Sequence, residues 1–101
     1  MNGKQMKQLA RMQQQMAEVQ NTVMSMTAEA TTGGGAVKAV AKGDGSLVSI
    51  KIDPQVLAAG DASMLEDMVL LASNQALAKV RDAANAEMSK VTSGLGIPGL
   101  M

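Results

Sequence analysis

Residues 33–54, GGGAVKAVAKGDGSLVSIKIDP, decide the fold. Three glycines open the stretch and make a sharp reversal, because glycine alone accepts positive φ at no steric cost. A run of Ala, Val and Lys follows, then the turn Gly43-Asp44-Gly45. Beyond it Val48, Ile50 and Ile52 alternate with Ser49 and Lys51. Apolar residues at period 2 on either side of an Asp-Gly turn predict a β-hairpin. A lone hairpin is marginal in water, so it needs a third strand and a cover over Val48, Ile50 and Ile52. The helical patterns on both sides of it must supply that cover.

Upstream, Thr27–Thr32 (TAEATT) is β-permissive and reads as the first strand, closed by Gly33–Gly35. With Ala36–Lys42 and Ser46–Ile52 it completes a three-stranded antiparallel meander. The glycine run is not a phosphate cradle of the Walker type, which requires Gly-Lys-Ser/Thr where this chain has Ala36-Val37-Lys38. Before the strand, residues 3–26 carry Leu9, Met12, Met16, Val19, Val23 and Met26 at steps of 3, 4, 3, 4 and 3. That is an a/d seam on a helix of about 36 Å, against a strand of about 23 Å. The helix overhangs any sheet this chain can build, so its seam needs a second helix somewhere along its length.

Downstream, Asp53-Pro54 ends the last strand, since proline cannot donate to the ladder. Gln55–Gly60 reads as a turn or a single helical loop. Ser63-Met64-Leu65-Glu66 matches a capping box, with Ser63 as N-cap of a helix running to about Ser89. Leu65, Val69, Ala72, Ala76, Val80 and Ala83 form one stripe on it, and Leu70, Leu77, Ala84 and Val91 a neighbouring one. Such a wide apolar surface implies contact with more than one element. Residues 92–101, TSGLGIPGLM, read as a mobile tail. The expected architecture is α+β, α–β–β–β–α, in one domain over residues 1–101. Its parts are a helical arm (1–26), a sheet (27–53), a turn with a long helix (54–91) and the tail (92–101).

Composition narrows the chemistry. The 101 residues include no Cys, no His and no aromatic residue, but ten Met. Without His or Cys the usual general base, nucleophile and metal ligands are missing, which argues against an enzyme and against a metal or other cofactor. Methionine is expected to serve as adaptable core filling. Nine cations balance nine anions, so any pull toward nucleic acid must be local. The start MNGKQMKQ has no apolar core of a signal peptide, and no apolar run is long enough to span a bilayer. A soluble, cytoplasmic protein is expected.

One local concentration of charge stands out. Lys4, Lys7 and Arg11 occupy the start of the first helix, with no acidic residue before Glu18. Cations there oppose the helix dipole at about 0.3–1 kcal/mol each when exposed. Their spacing puts them on one stripe, away from the Leu9/Met12/Met16 seam. Together with the free N–H groups of the helix start they make an anion site, suited to nucleic-acid phosphates. A solvated face that merely keeps the helix soluble is the plainer reading. Lys38, Lys42 and Lys51 near the hairpin, and Lys79, Arg81 and Lys90 on the second helix, are weaker candidates.

GGGAVK, the hairpin ending SIKIDP, the stretch MLEDMVLLASNQALAKV and the tail GLGIPG resemble the YbaB/EbfC family of bacterial nucleoid-associated proteins, nearly end to end and in order. The resemblance implies a homodimer whose sheets build a body and whose long helices project as arms. It also implies binding to double-stranded DNA, with a role in nucleoid organisation or gene regulation. The first helix departs from the family pattern, carrying Gln13-Gln14-Gln15 where Lys and Glu are usual. No contact set transfers by motif, and Lys4, Lys7 and Arg11 rest on the dipole argument alone. A reading of a different class is a protein-interaction scaffold or chaperone-like helper that uses its Met-rich helical surfaces as an adaptable groove.

Overall fold

The computed structural model describes residues 2–94. In chain order they form α1 (Gly3–Ser25), β1 (Thr27–Thr32), β2 (Val37–Lys42), β3 (Leu47–Ile52), α2 (Pro54–Ala58) and α3 (Ala62–Gly94). The three strands make one antiparallel sheet in the order β1-β2-β3. The α–β–β–β–α reading therefore holds, and the strand limits differ from expectation by one residue at most.

Each connection has a local cause. Gly33, Gly34 and Gly35 all take positive φ, a run closed to residues with a Cβ. The second turn is tied by the Asp44 carboxylate, which accepts from the Ser46 backbone N–H (2.9 Å) and hydroxyl. Asp53 accepts from the Gln55 N–H at 2.9 Å and caps the one-turn α2, with Pro54 in its first turn. The start of α3 corrects the expected capping box. Asp61, not Ser63, is the capping residue: its carboxylate accepts from the Met64 N–H at 3.0 Å, and its carbonyl accepts from Leu65. Asp61 precedes Ser63 and is at least as good an N-cap, so the helix begins earlier. At the other end α3 runs through Gly94, past the expected stop near Ser89. The helix thus takes in the first three residues assigned to a tail. The remainder of that assignment, 95–101, lies outside the described residues.

Cross-strand partners share a face. Ala28 and Ala41, Ala30 with Ala39 and Ile50, and Thr32 with Val37 and Ile52 point to one side. Only α3 covers that side. It lies along β1 and β2 and touches β3 lightly. Val37, Ala39, Ala41, Ala72 and Ala76 are fully buried, with Ala30 and Val80 beside them. Small residues on both surfaces let helix and sheet approach closely. Thr32 adds a bond from its hydroxyl to the Met68 carbonyl at 2.9 Å.

Two core expectations are overturned. The centre of the core is not methionine: among the described residues no Met is buried, Met26 and Met68 pack only against its edge, and Met6, Met16, Met24, Met64 and Met88 are exposed. Nor does a helix of this chain cover β3, where Leu47, Val48 and Ile50 remain exposed. One helix is about 10 Å wide and strands lie about 4.8 Å apart, so α3 can shield two strands but not three.

Candidate nucleic-acid interface

α1 contributes no buried residue. Its last turn rests on the β2–β3 turn, where the Gly43 N–H donates to the Met26 carbonyl at 2.8 Å. From there it leaves the sheet at the end where α3 also overhangs. The two helices run antiparallel: Met16, Val19 and Gln20 face Asn85, Met88, Ser89 and Val91 across a gap of about 360 Å³. The seam therefore does meet a second helix, the far half of α3. Because Met16 is already opposite Val91 and α3 ends three residues later at Gly94, the start of α1, from Gly3 to about Met12, projects beyond the described end of α3. The molecule is accordingly long and thin, 69 × 24 × 15 Å.

Lys4, Lys7 and Arg11 all lie on this projecting part and are exposed. Among the described residues none of them has an ion-pair partner. The helix start is less open to an anion than its sequence suggests. Asn2 caps it, its side chain accepting from the Gln5 N–H at 2.9 Å while its carbonyl accepts from Met6. The cap takes one N–H counted on for phosphate. The signal for Asn2 was legible: Asn is a preferred N-cap, and it stands directly before Gly3.

The weaker candidates separate into engaged and open. Lys38 pairs with Glu29 at 2.9 Å, Lys90 with Glu87 at 3.2 Å, and the Lys79 ammonium donates to the Glu29 carbonyl at 3.1 Å. Lys42 lies close enough to Asp44 to help lower its carboxyl. Lys51 and Arg81 are exposed. Lys38, Lys42 and Lys51 share the outer face of the sheet, far from the arm tip. Among the described residues no three His, Cys, Asp or Glu side chains gather as a metal site would require, and no helix is long and apolar enough to cross a membrane.

The sequence profile of the YbaB/EbfC DNA-binding family matches residues 1–95. The chain belongs to the YbaB/EbfC DNA-binding family. It is 48% identical over 97 residues to a nucleoid-associated protein of Pelotomaculum thermopropionicum, covering 96% of this chain and 92% of that one. It is 50% identical over 94 residues to the nucleoid-associated protein Teth39_2199 of Thermoanaerobacter pseudethanolicus, covering 93% and 85%. Among solved structures it resembles the uncharacterized protein HP0035 of Helicobacter pylori, with a TM-score of 0.59 at 20% identity over 94% of this chain and 97% of that one. That likeness concerns the fold. The family is one of DNA-binding proteins, not an enzyme family.

Proposed function

We propose that this YbaB/EbfC-family chain works as a homodimer that holds double-stranded DNA through its phosphates and so helps organise the nucleoid and regulate genes. The observation that carries the DNA contact is the position of Lys4, Lys7 and Arg11, exposed and unpaired at the far end of a projecting helix. Cations that oppose their own helix dipole gain most from an external anion. The relatives' names place them with the nucleoid, and this chain is assigned there by analogy with them.

A groove supports the second copy. Beside α3, over the bare strand β3, runs an apolar trough of about 620 Å³ lined by Leu47, Ile52, Leu65, Val69, Leu70 and Leu77. The α3 of a twin would fill it. Each copy's uncovered strand would then be shielded by the other's helix, closing a C₂ particle with a basic arm on each protomer. Two clusters of three cations could reach one duplex.

The test is a gel shift titrated with salt, beside sedimentation equilibrium. With about six phosphates neutralised, log K should fall with log salt at a slope near −5. Changing Lys4, Lys7 and Arg11 to Glu should abolish the shift without altering the sedimenting mass. Unchanged binding would remove these residues from the interface. A chain that stays monomeric, or a wild type that shifts no DNA at low salt, would turn the reading toward a protein-interaction role for the exposed methionines.

A further inference from the structure

The chain has no Cys, His, Trp or Tyr, so its ten methionine thioethers are the side chains that a peroxide oxidises most readily. Two of them occupy a place where a change of polarity has mechanical consequences. Met16 on α1 and Met88 on α3 line the gap between the two helices, beside Val19 and Val91. They are 47% and 46% exposed. A small oxidant can therefore reach both sulfurs, while the covered half of each side chain is apolar contact between the helices. That contact is thin, because α1 buries no side chain. The base of α1 is tied by the Gly43 N–H to the Met26 carbonyl at 2.8 Å, and beyond that base α3 supports it from the side.

We propose that Met16 and Met88 form a reversible oxidation site, at which hydrogen peroxide turns the α1–α3 seam from apolar to polar and so releases α1 from α3. The lone pair of each sulfur takes one peroxide oxygen as the O–O bond breaks. The second oxygen leaves as hydroxide and is protonated to water. The thioether loses two electrons and the peroxide gains them. Two thiols reverse the step: they join as a disulfide, the sulfoxide oxygen leaves as water, and the thioether returns. A sulfoxide is polar and keeps its hydration, so the space between Val19 and Val91 must open to hold it. The tie at Gly43 lies at the far end of the helix from its tip and cannot hold the arm against α3 by itself. That the released helix is a DNA arm rests on the proposed function; the release itself rests only on the contact between α1 and α3.

The experiment treats the full-length wild type with hydrogen peroxide, maps the added oxygens by peptide mass spectrometry, and follows amide hydrogen exchange across Gly3–Ser25. The comparison is Met16→Leu/Met88→Leu, whose side chains keep nearly the same volume and cannot take the oxygen. The other methionines oxidise alike in both proteins, so their effects cancel. In the wild type Met16 and Met88 should each gain an oxygen. Exchange across α1 should then speed by about tenfold or more, the ratio expected for losing one side chain's worth of apolar burial. A methionine sulfoxide reductase supplied with a dithiol should restore the original rate. The leucine variant should keep its rate through the same treatment. Three results overturn the proposal: Met16 and Met88 resist the peroxide, the oxidised wild type exchanges at its original rate, or the leucine variant loosens as much. A wild type that shifts no DNA ends the phosphate reading and leaves the exchange results standing.

Discussion

Gly43 sits beneath the last turn of α1 with no room to spare. A Cβ built there would lie 1.6 Å from the Val23 carbonyl oxygen, a backbone atom that cannot swing aside. Gly43→Ala must therefore lift the arm off the sheet or distort the turn. Urea unfolding should show a loss of about 1–3 kcal/mol, the range for overpacking a tight site. One residue on, Asp44 is held below its ordinary pKa of 3.8, chiefly by the Ser46 hydroxyl and then by the Ser46 N–H, with Lys42 adding a smaller pull. A carboxyl depressed in the folded state adds stability above the unfolded value and loses it as pH falls through the folded one. Ser46→Ala should move the Asp44 titration back toward 3.8, as read by NMR. The stability gap between the two proteins should then be full at neutral pH and narrow in acid.

The sheet and α3 show why these elements pair as they do. Lys38 and Lys51 stand directly opposite each other on β2 and β3, on the outer face. Like charges so placed repel, and Glu29 relieves only Lys38. Lys51→Glu should raise the urea midpoint, corresponding to about 0.2–1 kcal/mol. On the inner face the contact is alanine on alanine, with Ala72 and Ala76 fully buried against Ala39 and Ala41. Ala76→Leu should cost about 1–3 kcal/mol in the same assay, because neither backbone can retreat without breaking the other contacts. The stripe Leu65–Val69–Ala72–Ala76–Val80–Ala83 was legible at helical spacing, and Leu65 through Val80 of it pack, joined by Met68 and by Leu77 of the neighbouring stripe. Methionine as core filler was not a sound expectation. Ala and Val already fill the narrow space between helix and strands, which leaves the longer thioethers to the arm and the rim.

At the scale of the whole molecule, the exposed trough over β3 is the feature most in need of explanation. Leu70 is 62% exposed at its rim. Leu70→Asp should leave the monomer folded, since that side chain contributes little to its own core, yet split the proposed homodimer and so bring the sedimenting mass down to that of one chain. DNA affinity should fall with it, because two arms on one particle bind with avidity that a single arm lacks.

The amino-acid sequence by itself determined the element order, the strand limits to within a residue, the two rods longer than their platform and the basic start of the first. These are local properties, set by hydrophobic period, turn chemistry and helix dipole. Only the tertiary structure decided which rod covers the sheet, that β3 is left bare, and that the arm's cations stand clear of α3. Period marks an apolar face but not its partner. The choice turned on how closely alanine-faced surfaces can approach, and on a single helix being too narrow for three strands.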